Sequence, residues 1–316
     1  MKILVTGGAG FIASHITDAY IKQGHKVIIV DNLSTGNRDN INKEAKFYHI
    51  DICDGKLENI IKTEKPDIVN HHAAQISVPV STKKPIFDAE VNILGTLNIL
   101  QNSVKYNIKK VIFSSTGGAI YGDADEYPTT ENYVPKPVSP YAIAKFSVEK
   151  YLHYYHHGFG LNYLVLRYSN VFGPRQIPHG EAGVVSIFIE NILQNKSSNL
   201  YAYSENPDGM IRDYVFVGDV VKANLIALET GESEVVNIGT NTETTTGALY
   251  RQIAELMNSD IKPIKMGARP GDIHKSCLDI KKANNILNWY PKATLKNVIK
   301  ETIEFFRNKQ IGKEIK

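Results

Sequence analysis

Tyr141 and Lys145 stand one helical turn apart in the segment Tyr141-Ala142-Ile143-Ala144-Lys145, so on a helix both side chains lie on one face. A free phenol, with a pKa of about 10, is a poor base at neutral pH. A nearby ammonium favours the phenolate and brings the group into a useful acid–base range. Such a pair also arises by chance on amphipathic helices, as a solvated Lys and a half-buried Tyr, so its context decides. That context is Ser114-Ser115-Thr116, at the end of a strand-like run that begins at Lys110. In an open parallel sheet, ligands bind beyond the carboxyl ends of the strands. A hydroxyl there can meet the phenol and a substrate oxygen together. The plain alternative is that these hydroxyls satisfy loop backbone groups.

A second constellation could hold a dinucleotide. Thr6-Gly7-Gly8-Ala9-Gly10-Phe11-Ile12-Ala13 joins an apolar strand-like run to a helical pattern, which is the context that gives a Gly-rich loop meaning. Gly7 permits a tight turn, Gly10 lets backbone approach a pyrophosphate at the helix N-terminus, and Ala13 allows close helix–strand packing. Asp31 ends the next strand-like run, 21 residues after Gly10. Its carboxylate can accept from both ribose hydroxyls and would repel a 2′-phosphate, so NAD is expected over NADP. The competing role for Asp31 is to cap the turn that contains Asn32, Ser34 and Gly36. Asp51 and Ile52 are placed to meet the adenine, and Ala73 and Ala74 are small enough for the cofactor to lie close.

These residues need a scaffold with strand ends on one side. The chain has 316 residues, which gives a prior of roughly two domains. Strand-like segments at 2–6, 26–31, 46–50, 67–71, 110–114 and 162–167 alternate with helical patterns at 11–20, 91–104 and 141–156. That alternation implies right-handed crossovers and a parallel sheet covered on both faces. Beyond 170 the pattern loosens, with helices expected at 184–193, 220–228, 246–257 and 295–306. Residues 170–316 therefore read mainly as a smaller lobe, with segments near 213–240 returning to the sheet. The 42% hydrophobic content supports a packed core. Lys and Arg total 36 against 33 Asp and Glu, too even a balance for bulk nucleic-acid binding. Two cysteines form neither a disulfide framework nor a paired metal motif. With no apolar run of membrane-spanning length and no secretory signal pattern, a cytoplasmic protein is expected.

Taken together, TGGAGFIAS, VDNLSTG, FSSTGGAIYG, YAIAK and LRYSNVFGPR resemble the extended short-chain dehydrogenase/reductase superfamily. Within it the chain is similar to the UDP-glucose and UDP-N-acetylglucosamine 4-epimerases, over nearly its whole length. The resemblance implies an α/β fold: a Rossmann-type, doubly wound parallel sheet with a smaller C-terminal α/β substrate lobe. It implies a NAD-binding domain over 1–169 with 213–241 returning to it, and a UDP-sugar lobe over 170–212 and 242–316. It also implies NAD held throughout the cycle, a UDP-sugar as substrate and a homodimer built from helices near 92–106 and 141–157. By the same resemblance Tyr141 is the base, Lys145 binds the nicotinamide ribose and depresses the Tyr pKa, and Thr116 relays the proton. Gly117-Gly118 lengthens the segment by one residue relative to the common pattern, which leaves Ser115 as the second choice. Gly7, Gly10, Phe11, Ile12, Asp31, Asn32, Ser34, Gly36, Asp51, Ile52, Ala73, Ala74, Gln75, Asn92, Ser114 and Tyr168 complete the implied cofactor site.

On the substrate side the resemblance assigns Asn170, Arg212 and Arg269 to a diphosphate, which two guanidiniums suit. Asp272 falls at the uridine ribose, and Val184 and Tyr201 at the uracil. Singly, each Arg would read as a surface ion pair and Asp272 as a turn cap. Ser276 falls at the family's gate beside the sugar C2 group, where a small residue admits N-acetyl sugars; its bland reading is an ordinary polar residue. Dehydratases and decarboxylases of the superfamily carry an acid soon after the active-site Thr, where this chain has Gly117 and Gly118. A UDP-glucuronate 4-epimerase is a further rival within the superfamily, and a non-catalytic NAD-binding regulator is the rival from another class. Ten histidines invite a metal reading; His153 and His157 have ligand spacing but no third partner, so no metal is expected.

Overall fold

The computed structural model describes residues 1–178, 183–269 and 272–314. Along the chain come β1 (Lys2–Thr6), α1 (Phe11–Lys22), β2 (Lys26–Asp31), β3 (Lys46–His49), α2 (Leu57–Glu64) and β4 (Ile68–His71). There follow α3 (Val78–Lys83), α4 (Pro85–Ala89), a π-turn over Glu90–Leu94, and α5 (Gly95–Lys105). Next are β5 (Lys110–Thr116), the single turn α6 (Gly117–Ile120), α7 (Pro140–Phe159) and β6 (Asn162–Tyr168). The remainder holds β7 (Asn170–Phe172), α8 (Val184–Leu193), β8 (Asn199–Ala202), β9 (Ile211–Arg212), β10 (Tyr214–Phe216), α9 (Val217–Ile226) and β11 (Glu234–Ile238). It ends with β12 (Thr244–Thr245), α10 (Thr246–Leu256), β13 (Ile264–Gly267), α11 (Lys281–Leu287) and α12 (Leu295–Glu314).

Seven strands form one parallel sheet in the order β11-β6-β5-β4-β1-β2-β3. Side chains alternate between its faces. Ile3, Val5 and Ile29 enter one buried layer with Ile16 and Tyr20 of α1 and Val220 and Ala223 of α9. Leu4, Ile28 and Val30 enter the other, with Ile61, Ile99 and Leu152 of α2, α5 and α7. Burial on both faces explains why these strands read as continuous apolar runs. A third core joins Phe188, Tyr250, Ile299 and Phe306 beside the sheet.

The chain runs outward from β1 to β3, then crosses to β4 and continues the other way. The crevice between β1 and β4 is therefore the switch point where ligands bind in such sheets. β5 extends to Thr116, two residues past the strand read from sequence, because its last residues still pair with β6. The helix expected at 91–104 is instead a π-turn followed by α5. Of the region near 213–240, β11 joins the main sheet, whereas β10 pairs with β7 in a separate ladder. α7 starts where sequence chemistry directs: the Ser139 hydroxyl accepts from the Ala142 amide, Pro140 opens the first turn, and Gly160 ends the helix at φ 69°.

Candidate active site

The loop after β1 forms a cradle at the switch point. Gly7 has φ +70°, and a Cβ there would sit 2.7 Å from the Ala73 amide nitrogen, so only glycine fits. Gly10 caps α1 with no side-chain cap, leaving Phe11 and Ile12 at a helix end whose amides are available to an anion. Asp31 is buried and accepts from the Ala9 amide at 2.9 Å and the Leu33 amide at 2.7 Å. It thus serves as the turn cap and still carries lone pairs on the cradle's rim. The Gly36 backbone lies against this carboxylate, where a Cβ would meet its oxygens at 3.0 and 3.2 Å. Asn32 donates to Asp51 at 2.6 Å and accepts from the Ser34 amide at 2.9 Å, so the two loops are tied together. Ile52 is buried, with its carbonyl held by Asn98. Ala73 and Ala74 follow β4, and the Ala73 amide donates to Thr6 Oγ1 at 3.2 Å. This cradle, closed to any side chain at Gly7 and lined by amides and one carboxylate, fits a dinucleotide.

The candidate acid–base residues lie at the strand ends beside the cradle. The Tyr141 phenol lies next to the Thr116 side chain. Lys145 is buried and donates to the Ser114 carbonyl at 2.9 Å, its ammonium 4.7 Å from the centre of the Phe113 ring. The Ser114 hydroxyl donates to the His71 carbonyl. Ser115 points to the opposite face of β5 and donates to Glu149 at 2.6 Å. Glu149 is in a buried pair with Arg167, at 2.6 and 3.0 Å. Arg167 donates on to Tyr121, and Tyr121 to Asn237. Ser115 therefore faces α7 and is taken up by the buried pair two turns along that helix from Tyr141, while Thr116 ends the strand next to Tyr141.

One expectation needs correction. The pair of Lys145 and Tyr141 does not place the phenol in a low range in this structure. Burial pushes the Tyr141 hydroxyl well above its ordinary value, Asp88 adds to the rise, and Thr116 opposes it. Burial also pushes Lys145 down, to about 8, against the lift from Asp88 and Glu149. The Lys145 ammonium is directed at the Ser114 backbone carbonyl, and burial is the largest influence on both groups.

Tyr168 stacks on His72 with ring centres 5.9 Å apart, and its hydroxyl lies 3.1 Å from His72 Nε2. Asn92 lies in the π-turn, accepts from the Gln75 amide at 2.9 Å and donates to the Gln75 carbonyl at 3.0 Å. A π-turn often marks a functional position, and this one clamps the loop after β4 from both sides. Among the described residues, no group of three or more His, Cys, Asp or Glu could hold a metal.

Across the crevice the proposed substrate residues are arranged around β9 and the segment 272–276. Asn170 opens β7, and its Oδ1 is buried without a partner among the described residues. A Cβ on Gly118 would reach that oxygen at 3.4 Å, so the glycine keeps a polar atom uncovered. Arg212 donates to the Ile211 carbonyl, and the Ser276 amide donates to the same carbonyl. Arg269 is ion-paired through two nitrogens with Asp272, both contacts at 3.1 Å, and its guanidinium lies 4.3 Å from the Tyr201 ring centre. Asp272 also acts electrostatically on Arg212. Arg269, Asp272 and Tyr201 are thus in contact, whereas sequence assigned them separate roles. Val184 opens α8 and packs at the edge of the third core. Pro270 and Gly271 of the ARPGD motif lie outside the described residues.

Comparison with known proteins follows the geometry. Residues 3–239 match the model of the NAD dependent epimerase/dehydratase family. The chain belongs to that family. It is 39% identical over 315 residues to the UDP-glucose 4-epimerase of Mycolicibacterium smegmatis, covering 98% of this chain and 99% of that one. It is 48% identical to a UDP-glucose 4-epimerase of Thermotoga maritima solved with UDP-glucose, with a TM-score of 0.95, covering 98% of this chain and 100% of that one. It is 37% identical to a UDP-N-acetylglucosamine 4-epimerase of Methanobrevibacter ruminantium solved with UDP-N-acetylmuramic acid, with a TM-score of 0.91 and 98% of each chain covered.

Family membership leaves several functional-looking residues that the sequence did not single out. Glu149 sits one turn beyond Lys145, and Asp88 one turn before Asn92, so helical spacing was the available signal. His274 stacks on Tyr203 at 3.5 Å and lies between Asp123 and Glu205, at 3.2 and 3.3 Å. Nothing local in the sequence joins those three segments.

Proposed function

We propose that this protein is a NAD-dependent UDP-sugar 4-epimerase acting on UDP-glucose/UDP-galactose and on UDP-N-acetylglucosamine/UDP-N-acetylgalactosamine. The observation that carries the reading is Tyr141 next to Thr116 at the carboxyl end of β5, with Lys145 one turn along α7 and a dinucleotide cradle at the switch point. Gly7, Gly10, Asp31 and the loop held by Asn92 would hold NAD. Bound NAD supplies reversible hydride acceptance at the sugar C4. Thr116 and Tyr141 take the proton from the 4-hydroxyl and later return it to the same oxygen, after the 4-keto sugar has turned to present the other face of C4 to the cofactor. Lys145 orients the cofactor ribose. Arg212 and Arg269 bind the diphosphate, with Asn170 beside them, while Asp272, Val184 and Tyr201 accommodate the uridine. We assign the sheet domain to 1–169 and 213–241, and the substrate lobe to the rest.

Gly117 disfavours a dehydratase or decarboxylase, because a Cβ there would lie 2.5 Å from the Leu278 side chain. Ser276 is small and buried beside Arg212, which supports acceptance of an N-acetyl group. Leu94 of the π-turn is exposed, as are Ile143, Tyr151 and Tyr154 of α7, and the two elements pack together, which supports a homodimer through helices near 92–106 and 141–157. A cytoplasmic location accords with the absence, among the described residues, of any helix long and apolar enough to cross a membrane.

The test offers purified protein UDP-glucose, UDP-N-acetylglucosamine and UDP-glucuronate without added NAD, with products read by nuclear magnetic resonance. The 4-epimers of the first two are expected. Absence of every 4-epimer overturns the reading, and epimerisation of UDP-glucose alone overturns the specificity. Tyr141→Phe should lower turnover by about 10²–10⁴-fold while NAD remains bound. Ser276→Tyr should abolish activity on the N-acetyl sugar and spare that on UDP-glucose.

A further inference from the structure

Asp88 is almost fully buried, with 1% of its surface exposed. Among the described residues, its carboxylate accepts hydrogen bonds from two neutral amides, Gln75 Nε2 at 2.7 Å and Asn92 Nδ2 at 3.0 Å, both at Oδ1. No cation bonds to it directly. Taking a carboxylate out of water without a bonded counter-ion costs several kcal/mol, so it persists only where surroundings compensate it. Its surroundings are the catalytic helix and the π-turn: α4 packs on both. Lys145 and Tyr141 are the groups on α7 that feel its charge. Glu149 acts on the same ammonium from one turn further along, and His71 and His72 face it from the end of β4. Burial pushes the Asp88 carboxyl up from its ordinary value, while Gln75, Asn92 and Lys145 pull it back.

We propose that Asp88 is a positioning residue with two linked tasks. Its carboxylate ties Gln75 to Asn92 beneath the cofactor cradle, and it places a fixed negative charge beside Lys145 and Tyr141. The first task is visible in the bonds. Gln75 is gripped through its backbone by Asn92 and through its side chain by Asp88, and its Oε1 accepts from the Ser77 amide at 2.6 Å. The second follows from sign. A negative charge makes proton loss from both the ammonium and the phenol harder. It therefore keeps Lys145 cationic to higher pH, and it delays the phenolate.

The inference rests on the epimerase reading only for its turnover readout. Asp88→Asn keeps an oxygen that can accept from Gln75 and Asn92 but removes the charge; Asp88→Ala removes both. In NAD-loaded protein, both limbs of the pH–kcat profile of Asp88→Asn should move to lower pH, by roughly one unit, with NAD content unchanged. Asp88→Ala should in addition lose NAD on gel filtration. Phenolate absorbance measured against pH, with the matching Tyr141→Phe protein subtracted, should show the same downward shift without any turnover. That readout separates a failure here from a failure of the substrate assignment. An unmoved profile and an unmoved Tyr141 titration in Asp88→Asn overturn the proposal. So does NAD loss in Asp88→Asn as large as in Asp88→Ala, which would make the residue merely structural.

Discussion

Ser115 and Thr116 are adjacent in sequence and belong to opposite faces of β5. The Ser115 hydroxyl donates to Glu149, two turns along α7 from Tyr141, whereas Thr116 lies next to the phenol. Thr116→Ala should therefore lower kcat by about 10²-fold with little change in melting temperature. Ser115→Ala should do the reverse: near-normal kcat, and a loss of about 1–3 kcal/mol in urea unfolding because a buried carboxylate loses a donor. Lys145 adds a pH dependence of known sign. As a base whose value burial lowers to about 8, it is an ammonium below that pH and becomes neutral as pH rises through it. Turnover that uses its charge should fall on the alkaline side near about pH 8, as a kcat profile will show. The paired residues and the Gly loop were legible in the sequence because their chemistry depends on local spacing. The choice between Ser115 and Thr116 was not, since it turns on the buried Glu149–Arg167 pair that engages Ser115, which no local spacing announces.

The elements show the same division. α7 was predictable from Ser139, Pro140 and Gly160, whose effects are local. The π-turn was not, because Asn92 and Asp88 gain their meaning only when the loop at Gln75 folds back on them. The Glu149–Arg167 pair likewise links α7 to β6 across the sheet's face. Its guanidinium is buried and bonded onward to Tyr121. Arg167→Met should cost about 3–5 kcal/mol, because it strands a buried carboxylate. Adding Glu149→Leu should recover much of that loss, and urea denaturation midpoints of the two variants will show whether it does. If the single variant is as stable as the parent, the pair is not holding α7 to the sheet.

At the scale of the whole molecule, the unexplained surface is apolar. Leu94 is 58% exposed and Tyr154 56%, on elements that pack side by side. If a second copy covers them, Leu94→Glu with Tyr154→Glu should shift the protein from dimer to monomer in sedimentation velocity. A parent that already sediments as a monomer at high concentration removes the homodimer from the proposal. The late strand was legible as a region, since segments near 213–240 were expected to return to the sheet, but not that within it β11 alone joins the main sheet while β10 pairs with β7.

That late strand bears on how the protein must be made. β6 ends at Tyr168, yet its neighbour β11 does not begin until Glu234. On the ribosome, the outer edge of β6 is translated well before the segment that will cover it. Until then it presents unpaired amides and carbonyls on an apolar strand, the kind of edge to which another nascent chain can add. A translational pause between those two points would lengthen that exposure, and a chaperone that masks strand edges would have its greatest effect on this protein in that interval.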